Sequence, residues 1–140
     1  MEGKINGILE SALYFPDVKC ASDFYCELFG FEILLSSDRL TALGVAGKQV
    51  LLLFREESSV HEIELPAGGI IPPHDGKGPV HIAFSIDRGS EQFWKERLAS
   101  QNITIESEVS FNQGYSLYFR DTNMHLVELA TPGIWNGLEV

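Results

Sequence analysis

The chain has 140 residues and a net charge of −10, from ten Lys and Arg against twenty Asp and Glu. Nucleic-acid binding relies on basic surface, so this balance argues against a phosphate-backbone partner. No apolar run approaches the roughly 18 residues of a membrane helix, and the N-terminus has no charged-then-apolar signal pattern. We therefore expect a single domain, residues 1–140, in the cytoplasm, with neither nucleic-acid nor membrane partners.

The first half predicts a strand, a helix and three further strands. Residues 8–15 alternate like a strand, and Asp17 is a suitable N-cap for a helix that stops at Gly30. Cys20 and Cys26 lie about 9 Å apart along this helix, too far for a disulfide, so two free thiols are expected. Three strands follow in FEILLSS, RLTALGVA and KQVLLLFRE, and a Gly-containing turn joins the last two as a hairpin.

A long connection separates this half from the next. It contains PAGGIIPPHDGKG, and connections of this length in compact domains are usually lids or flexible joints. The order then repeats as strand VHIAFSID, helix SEQFWKERLAS, strand ITIESEV and hairpin YSLYFRDTNMHLVELA, with Ser90 as the helix cap and Phe93 in its apolar stripe. The prediction is an α+β fold of two βαβββ modules, residues 5–57 and 78–132, joined by this Gly- and Pro-rich loop.

The two halves form a weak internal repeat with a period of about 70 residues. Counting outward from the two hairpin turns places Leu52 opposite Glu128. Counting back from the two helices places Glu10 opposite His81, with one inserted residue. Three of these four equivalent positions therefore hold side chains that commonly bind metals.

The three polar residues lie on strand faces that the bulky apolar residues avoid. From His81 the same face continues with Ala83 and Ser85, and Glu10 shares its face with Ala12 and Tyr14. Small residues beside charged ones indicate a hollow rather than a packed core. Two buried carboxylates near one another need a compensating positive charge, which a divalent cation supplies while the imidazole adds a nitrogen donor. We expect Glu10, His81 and Glu128 to bind one metal ion.

The other three histidines have separate interpretations. His74, in the long connection, is a candidate catalytic acid or base if this loop folds over the site, and equally a turn residue between Pro73 and Asp75. His125 lies on the strand face opposite Glu128 and is interpreted as structural. His61 lies in the charged stretch HEIE and is interpreted as solvated.

The sequence resembles the vicinal oxygen chelate superfamily, which includes glyoxalase I, extradiol dioxygenases, fosfomycin-resistance enzymes and bleomycin-resistance proteins. The matching stretches are ALYFPDVKCASDFYCELFGFE, VHIAFSID and LYFRDTNMHLVELA, and together with the repeated βαβββ order they cover nearly the whole chain. The resemblance implies that the sheet of each module curls into a cup around a shared site. It places the metal ligands on the first and fourth strands, at Glu10, His81 and Glu128.

The resemblance further implies a metal-dependent enzyme, a homodimer, acting on a small-molecule substrate. A bound Mn, Fe, Ni, Co, Zn or Mg ion would chelate vicinal oxygens of the substrate and stabilise an oxyanion, in a lyase, isomerase or dioxygenase reaction. Glu10 stands where His or Gln is commoner. Leu52 stands where glyoxalase I has a glutamate that is both ligand and base, which argues against methylglyoxal isomerisation.

A non-catalytic drug-binding protein of the bleomycin-resistance type is the alternative. Those proteins share the fold, lack a metal and are acidic, and the net charge of −10 suits such a role. The Glu10, His81 and Glu128 set disfavours it. The sequence leaves open whether the two cups meet within one chain or across a dimer.

Overall fold

The computed structural model describes residues 1–138 and contains two four-stranded sheets with one helix each. The chain divides into two compact units, Met1–Gly78 and Pro79–Val140. The elements of the first unit are β1 (Glu10–Phe15), α1 (Val18–Phe29), β2 (Glu32–Ser36), β3 (Leu40–Val45), β4 (Gln49–Arg55), β5 (Ile63–Glu64) and β6 (Ile70–Ile71). Those of the second are β7 (His81–Ser85), α2 (Glu91–Ser100), β8 (Ser107–Phe111), β9 (Gly114–Arg120), β10 (Leu126–Ala130) and a 3-10 turn (Pro132–Ile134).

The two sheets have the same topology. The strand order is β1-β4-β3-β2 in the first unit and β7-β10-β9-β8 in the second. In each, the first and last long strands pair in parallel and the remaining pairs are antiparallel. The predicted α+β fold with two βαβββ modules is confirmed. No helix within residues 1–138 is long and apolar enough to cross a membrane.

The strand register confirms the predicted equivalence of four positions. On the parallel ladders Ala12 pairs with Leu52, and Ala83 pairs with Glu128. Glu10 and His81 each lie two residues before those alanines, on the same strand face. The two halves of the repeat therefore place Glu10 and His81 at the start of the first strand of each sheet. Leu52 and Glu128 lie on the fourth strand.

Helix α1 follows its sequence signals closely. The Asp17 side chain accepts a hydrogen bond from the Cys20 backbone N–H at 3.0 Å, and Gly30 ends the helix in the left-handed region with φ of 70°. Ala21, Tyr25 and Leu28 are buried, which anchors the helix by one face. The two cysteines are free thiols.

Helix α2 departs from the sequence-based expectation. The Ser90 hydroxyl donates to the Asp87 carbonyl and does not cap the helix. Phe93 is exposed, although the sequence predicts it in the apolar stripe. Of the helix residues only Leu98 is buried. A single buried leucine therefore replaces the apolar stripe expected for this helix.

The strand predicted at ITIESEV begins later than expected, at Ser107. The reason is the end of α2, where the Ile103 N–H donates to the Leu98 carbonyl and Asn102 has a positive φ. Ile103 is thus held by the helix C-terminus, and the chain first reaches the sheet at Glu106, whose N–H donates to the Tyr118 carbonyl.

Candidate functional site

The concave face of the second sheet brings together His81 of β7 and Glu128 of β10. The imidazole Nε2 lies 3.1 Å from Glu128 Oε1. On the other side of the ring, Nδ1 lies 3.0 Å from the carbonyl oxygen of Leu126, which can only accept, so Nδ1 carries a proton and donates it. This bond fixes the ring orientation and directs Nε2 at the carboxylate.

Glu128 is a buried carboxylate with polar neighbours on β9. Its residue is 6% exposed, and its Oε2 accepts a hydrogen bond from the Ser116 hydroxyl. Tyr118 pairs with Glu128 across the antiparallel ladder. Burial raises the pKa of the Tyr118 phenol, and the negative charge of Glu128 raises it further. The phenol stays protonated and can donate.

The contact between His81 and Glu128 requires a positive charge. With Nδ1 protonated, a neutral imidazole presents the Nε2 lone pair to a carboxylate oxygen, which also carries lone pairs. Either a second proton or a cation has to lie between them. Two ligand atoms about 2.1 Å from one ion, at tetrahedral or octahedral angles, are about 3.0–3.4 Å apart. The observed 3.1 Å is the length of a hydrogen bond and also falls within this spacing, so the pair is compatible with neighbouring positions on one metal ion.

A cavity of about 400 Å³ opens beside this pair within the second unit. The small side chains Ala83, Ser85 and Ala130 lie on its wall next to the polar pair. They agree with the sequence-based expectation of a hollow along this strand face. The rest of the lining is mainly apolar and aromatic: Phe84, Phe111, Tyr118, Pro132, Ile134, Trp135 and Leu138, with Thr131.

The C-terminal segment that follows β10 forms part of this wall, which sequence reasoning missed. The Tyr115 N–H donates to Thr131 Oγ1 at 2.9 Å, and Asn112 Nδ2 donates to the Ile134 carbonyl at 2.6 Å. A Cβ on Gly133 would come within 2.4 Å of the Gln113 carbonyl oxygen. The signal that could have found this segment is the stretch TPGIW, which places Pro and Gly together before two large apolar residues.

The first sheet has a different concave face. Leu52, at the position equivalent to Glu128, packs with Tyr14 and Val50 against the buried cluster of Leu40, Ala42 and Phe54. Glu10, at the position equivalent to His81, is the first residue of β1 and is exposed. This unit therefore contributes one accessible carboxylate at the rim of an otherwise apolar face.

His74 lies on the same apolar face of the first unit, brought there by the long connection. Its Nδ1 is hydrogen-bonded to the Tyr14 hydroxyl at 2.7 Å, and its ring meets that of Phe54 edge-on at 4.5 Å between centroids. A Cβ on Gly76 would come within 2.7 Å of the Tyr14 ring, so the connection runs directly over the tyrosine. Burial raises the pKa of Tyr14, and the charge of Asp75 raises it further.

The structure brings together two of the predicted ligands, His81 and Glu128. No group of three or more His, Cys, Asp and Glu side chains that could hold a metal is found among residues 1–138. The full set with Glu10 stays a prediction. His125 is fully buried and accepts a hydrogen bond from the Val80 N–H at 3.0 Å, as expected of a structural residue, and His61 is exposed.

The repeated βαβββ sheets indicate the class of protein. A family model, the Glyoxalase/Bleomycin resistance protein/Dioxygenase superfamily, matches residues 7–129. The chain belongs to this superfamily.

Individual relatives carry several different activities in their names. The metallothiol transferase FosB of Bacillus licheniformis is 26% identical over 138 residues, which are 97% of this chain and 82% of that protein. A crystal structure of lactoylglutathione lyase from Agrobacterium tumefaciens is 31% identical, with a TM-score of 0.85 over 96% of this chain and 99% of that one. The catechol-2,3-dioxygenase of Bacillus subtilis is 31% identical over 59% of this chain, which is 26% of that protein.

Proposed function

We propose that this protein is a metal-dependent enzyme of the superfamily, in which Glu10, His81 and Glu128 bind one divalent ion. The observation that supports it most is the 3.1 Å approach of His81 Nε2 to Glu128 Oε1, with Nδ1 already committed to a backbone carbonyl. That hydrogen bond fixes the tautomer that a metal-binding histidine needs. The exposed carboxylate of Glu10 is the proposed third ligand.

The donor set is one nitrogen and two carboxylates, which suits Mn, Fe(II), Co, Ni or Mg at least as well as Zn. A bound ion would supply a Lewis acid to two vicinal oxygens of a small substrate. Side chains of the protein orient the metal ligand and stabilise negative charge on the substrate. Ser116 holds the second oxygen of Glu128 and so orients the carboxylate, and the protonated phenol of Tyr118 can donate to an oxygen on which negative charge develops.

His74 is the proposed acid–base residue, together with the Tyr14 hydroxyl that it contacts. The connection over the first sheet places this pair on the face that also bears Glu10 at its rim. A His74→Gln variant should keep the metal content of the wild type, because the residue is not a proposed ligand. Loss of metal in this variant would contradict the role.

The reaction is proposed to be of the lyase, isomerase or dioxygenase type and to differ from that of glyoxalase I. The similar structure named lactoylglutathione lyase raises that activity as a candidate. Here Leu52, packed against an apolar cluster, offers neither a ligand nor a base at the fourth equivalent position. With methylglyoxal and glutathione we expect no turnover above that of a Glu128→Gln variant. The drug-binding alternative is not favoured, because the relatives are named as a transferase, a dioxygenase and a lyase.

Metal analysis of protein purified without chelator tests the site. We expect near one equivalent of divalent metal per chain, and a loss of at least about tenfold in metal affinity for Glu10→Ala, His81→Ala and Glu128→Ala. Matched controls are Glu32→Ala on the exposed edge strand β2 and His61→Ala in the connection, both expected to bind as the wild type. Unchanged metal in the three ligand variants would refute the site.

We further propose a homodimer, in the cytoplasm, where the two free thiols Cys20 and Cys26 suit a reducing compartment. Mixing Glu10→Ala and His81→Ala subunits shows whether the site crosses the dimer. If Glu10 of one copy joins His81 and Glu128 of the other, each mixed dimer regains one intact site, or half an equivalent of metal per chain. If all three ligands come from one chain, the mixed dimer binds no more than the single variants.

A further inference from the structure

We propose that the cavity of the second unit selects a substrate whose body is neutral and apolar, and that Trp135 is a specificity-determining contact for that body. This inference rests on the proposed function, because the chelating oxygens of the same substrate would face His81 and Glu128. The proposal excludes substrates that carry a second anionic group away from the chelating end.

The cavity is polar at one end and apolar at the other. His81 and Tyr118 lie beside Glu128 at the polar end. Ile134 lies past the end of β10, against Gly114 at the start of β9, and belongs with Phe111 and Trp135 to the apolar lining. Its volume of about 400 Å³ falls in the range of small-molecule sites, roughly 300–1,000 Å³. A site with one polar end fixes one polar group of a ligand and buries the remainder by its apolar area.

No Lys or Arg side chain lines this cavity among the described residues. The second unit has four such cations in all, and two of them are engaged elsewhere: Lys95 lies 2.6 Å from Glu108, and Arg120 lies 2.7 Å from Glu106. An anionic group in the apolar part of the cavity would lose its hydration without gaining a counterion, next to the carboxylate of Glu128. The site therefore discriminates by charge.

Trp135 and Leu138 are exposed apolar side chains on the cavity wall. They are 68% and 57% exposed, although each is large and apolar. The backbone beneath them is fixed by the Asn112 bond to the Ile134 carbonyl and by the close approach of Gly133 to Gln113. An indole held on a fixed backbone offers a flat contact at low entropic cost, as aromatic residues of binding sites commonly do.

Three hydroxamates with the same pair of chelating oxygens test the proposal. Acetohydroxamate has almost no body, benzohydroxamate has a neutral ring, and 4-carboxybenzohydroxamate adds an anionic group to that ring. By calorimetry with metal-loaded protein we expect benzohydroxamate to bind at least about tenfold more tightly than either of the others, because a buried ring adds apolar area and a buried carboxylate loses hydration. Equal affinity of the two aromatic probes would overturn the proposal.

Trp135→Ala should lower benzohydroxamate affinity at least about fivefold and leave acetohydroxamate affinity within about twofold. The matched control is Phe93→Ala, since Phe93 is also an exposed aromatic of this unit, at 61%, but does not line the cavity. Equal losses for both hydroxamates in Trp135→Ala, or a change of its oligomeric state by light scattering, would assign the indole to structure or to an interface and overturn the proposal.

A second measurement separates this inference from the metal site. In the presence of a chelator, 4-tert-butylphenol should raise the melting temperature of the wild type but not of Trp135→Ala, and 4-tert-butylbenzoate should raise neither. If metal binding fails while this pattern holds, the proposed enzyme is wrong and the apolar cavity stands. If metal binds and the phenol has no effect on the wild type, the inference alone is wrong.

Discussion

The two sheets share a topology but use their concave faces in opposite ways. In the first unit the face is filled: Leu52 packs against the cluster that contains Phe54, and His74 from the connection lies on top of it. In the second unit the face is hollow, with Glu128 at the position of Leu52 and a cavity beside it. One substitution at an equivalent strand position thus accompanies the difference between a packed face and an open one.

The difference shows how a repeat can divide structural and chemical roles. A buried carboxylate is tolerated only where partners surround it. The second sheet supplies the Ser116 hydroxyl, and it supplies the His81 ring once a proton or a cation lies between Nε2 and the carboxylate. On the first sheet, Ala42 pairs with Leu52 where Tyr118 pairs with Glu128, so no polar side chain faces that position across the antiparallel ladder. The apolar face of the first sheet instead packs against the connection, through His74.

The largest expected effects come from exchanging the residue types at the equivalent positions Leu52 and Glu128. Glu128→Leu should lower metal affinity at least about a hundredfold, because it removes the carboxylate that is the proposed ligand next to His81. Its free energy of unfolding without metal should change little or rise, since a buried charge is replaced by an apolar side chain of similar volume. Calorimetric metal titration and denaturant unfolding measure the two quantities. A Glu128→Leu protein that binds metal like the wild type would refute the assignment.

The reverse exchange, Leu52→Glu, should destabilise the first unit by about 1–3 kcal/mol, because a carboxylate replaces a partly buried leucine that packs against an apolar cluster. Leu52→Met is the control that preserves volume and apolar character, with an expected loss below about 1.5 kcal/mol. Urea unfolding with both variants separates charge from packing. A similar loss in the two variants would mean that shape, and not polarity, decides what this face accepts.

Gly133→Ala should destabilise the cavity wall of the second unit by about 1–3 kcal/mol. The added methyl group meets the Gln113 carbonyl oxygen, a backbone atom that cannot move without disturbing the β8–β9 turn. Gly3→Ala is the matched control, because nothing lies within 4 Å of the methyl group that it adds. Thermal unfolding of both variants provides the comparison. Equal melting temperatures would show that the C-terminal segment yields freely and does not form a fixed wall.

The two modules and the equivalent positions on their strands were predictable from sequence. The wall of the cavity depends on tertiary contacts and was not. Strand alternation, the Asp17 cap and Gly30 fix the first module locally, and counting from turns and helices located Glu10, His81 and Glu128 at equivalent positions. The cavity wall after β10 was not predictable. It depends on a backbone approach between Gly133 and Gln113, twenty residues apart, for which neither residue has a periodic signal.

The same reasoning explains two errors and one undecided residue. Phe93 lies four residues before Arg97, as Trp94 does before Leu98, and this spacing predicts a shared stripe. Exposure is decided instead by what packs against the helix, which spacing does not report. Strand β8 starts late because the end of α2 uses the Ile103 N–H. The sequence does not decide whether His74 is a turn residue or an acid–base residue. Its contacts with Tyr14 and Phe54 depend on how the connection folds over the first sheet.

A double-mutant cycle on Tyr14 and His74 measures how firmly the connection covers the first sheet. His74→Ala should cost about 1–2 kcal/mol through lost ring packing and the lost hydrogen bond, and Tyr14→Phe about 1 kcal/mol. The coupling free energy from urea unfolding should be about 0.5–1.5 kcal/mol. The pair Tyr14 and His61 serves as the control, since His61 is exposed and its coupling should be near zero. A coupling near zero for His74 as well would mean that the connection rests on the sheet without being held by this bond.

The smallest expected effect concerns the outer edge of the second sheet and its dependence on pH. Hydrogen bonds from Arg120 lower the pKa of Glu106, and those from Lys95 and Tyr115 lower the pKa of Glu108. Because these folded-state pKa values lie below the unfolded value near 4.5, the stabilisation is present above that pH and is lost as the pH falls through the folded values. Both ion pairs are exposed, so salt should weaken them.

Glu106→Gln/Glu108→Gln should therefore lower the melting temperature slightly at pH 6 and by less at pH 3, with a smaller difference in 0.5 M salt. Glu32→Gln, on the equivalent edge strand β2, is the control and should show no such convergence with the wild type. If the double variant differs from the wild type by the same amount at both pH values, side-chain shape rather than charge stabilises this edge. The edge strands β2 and β8 would then differ in side-chain packing, as the two concave faces do. Ion pairs would not distinguish the edges of the two sheets.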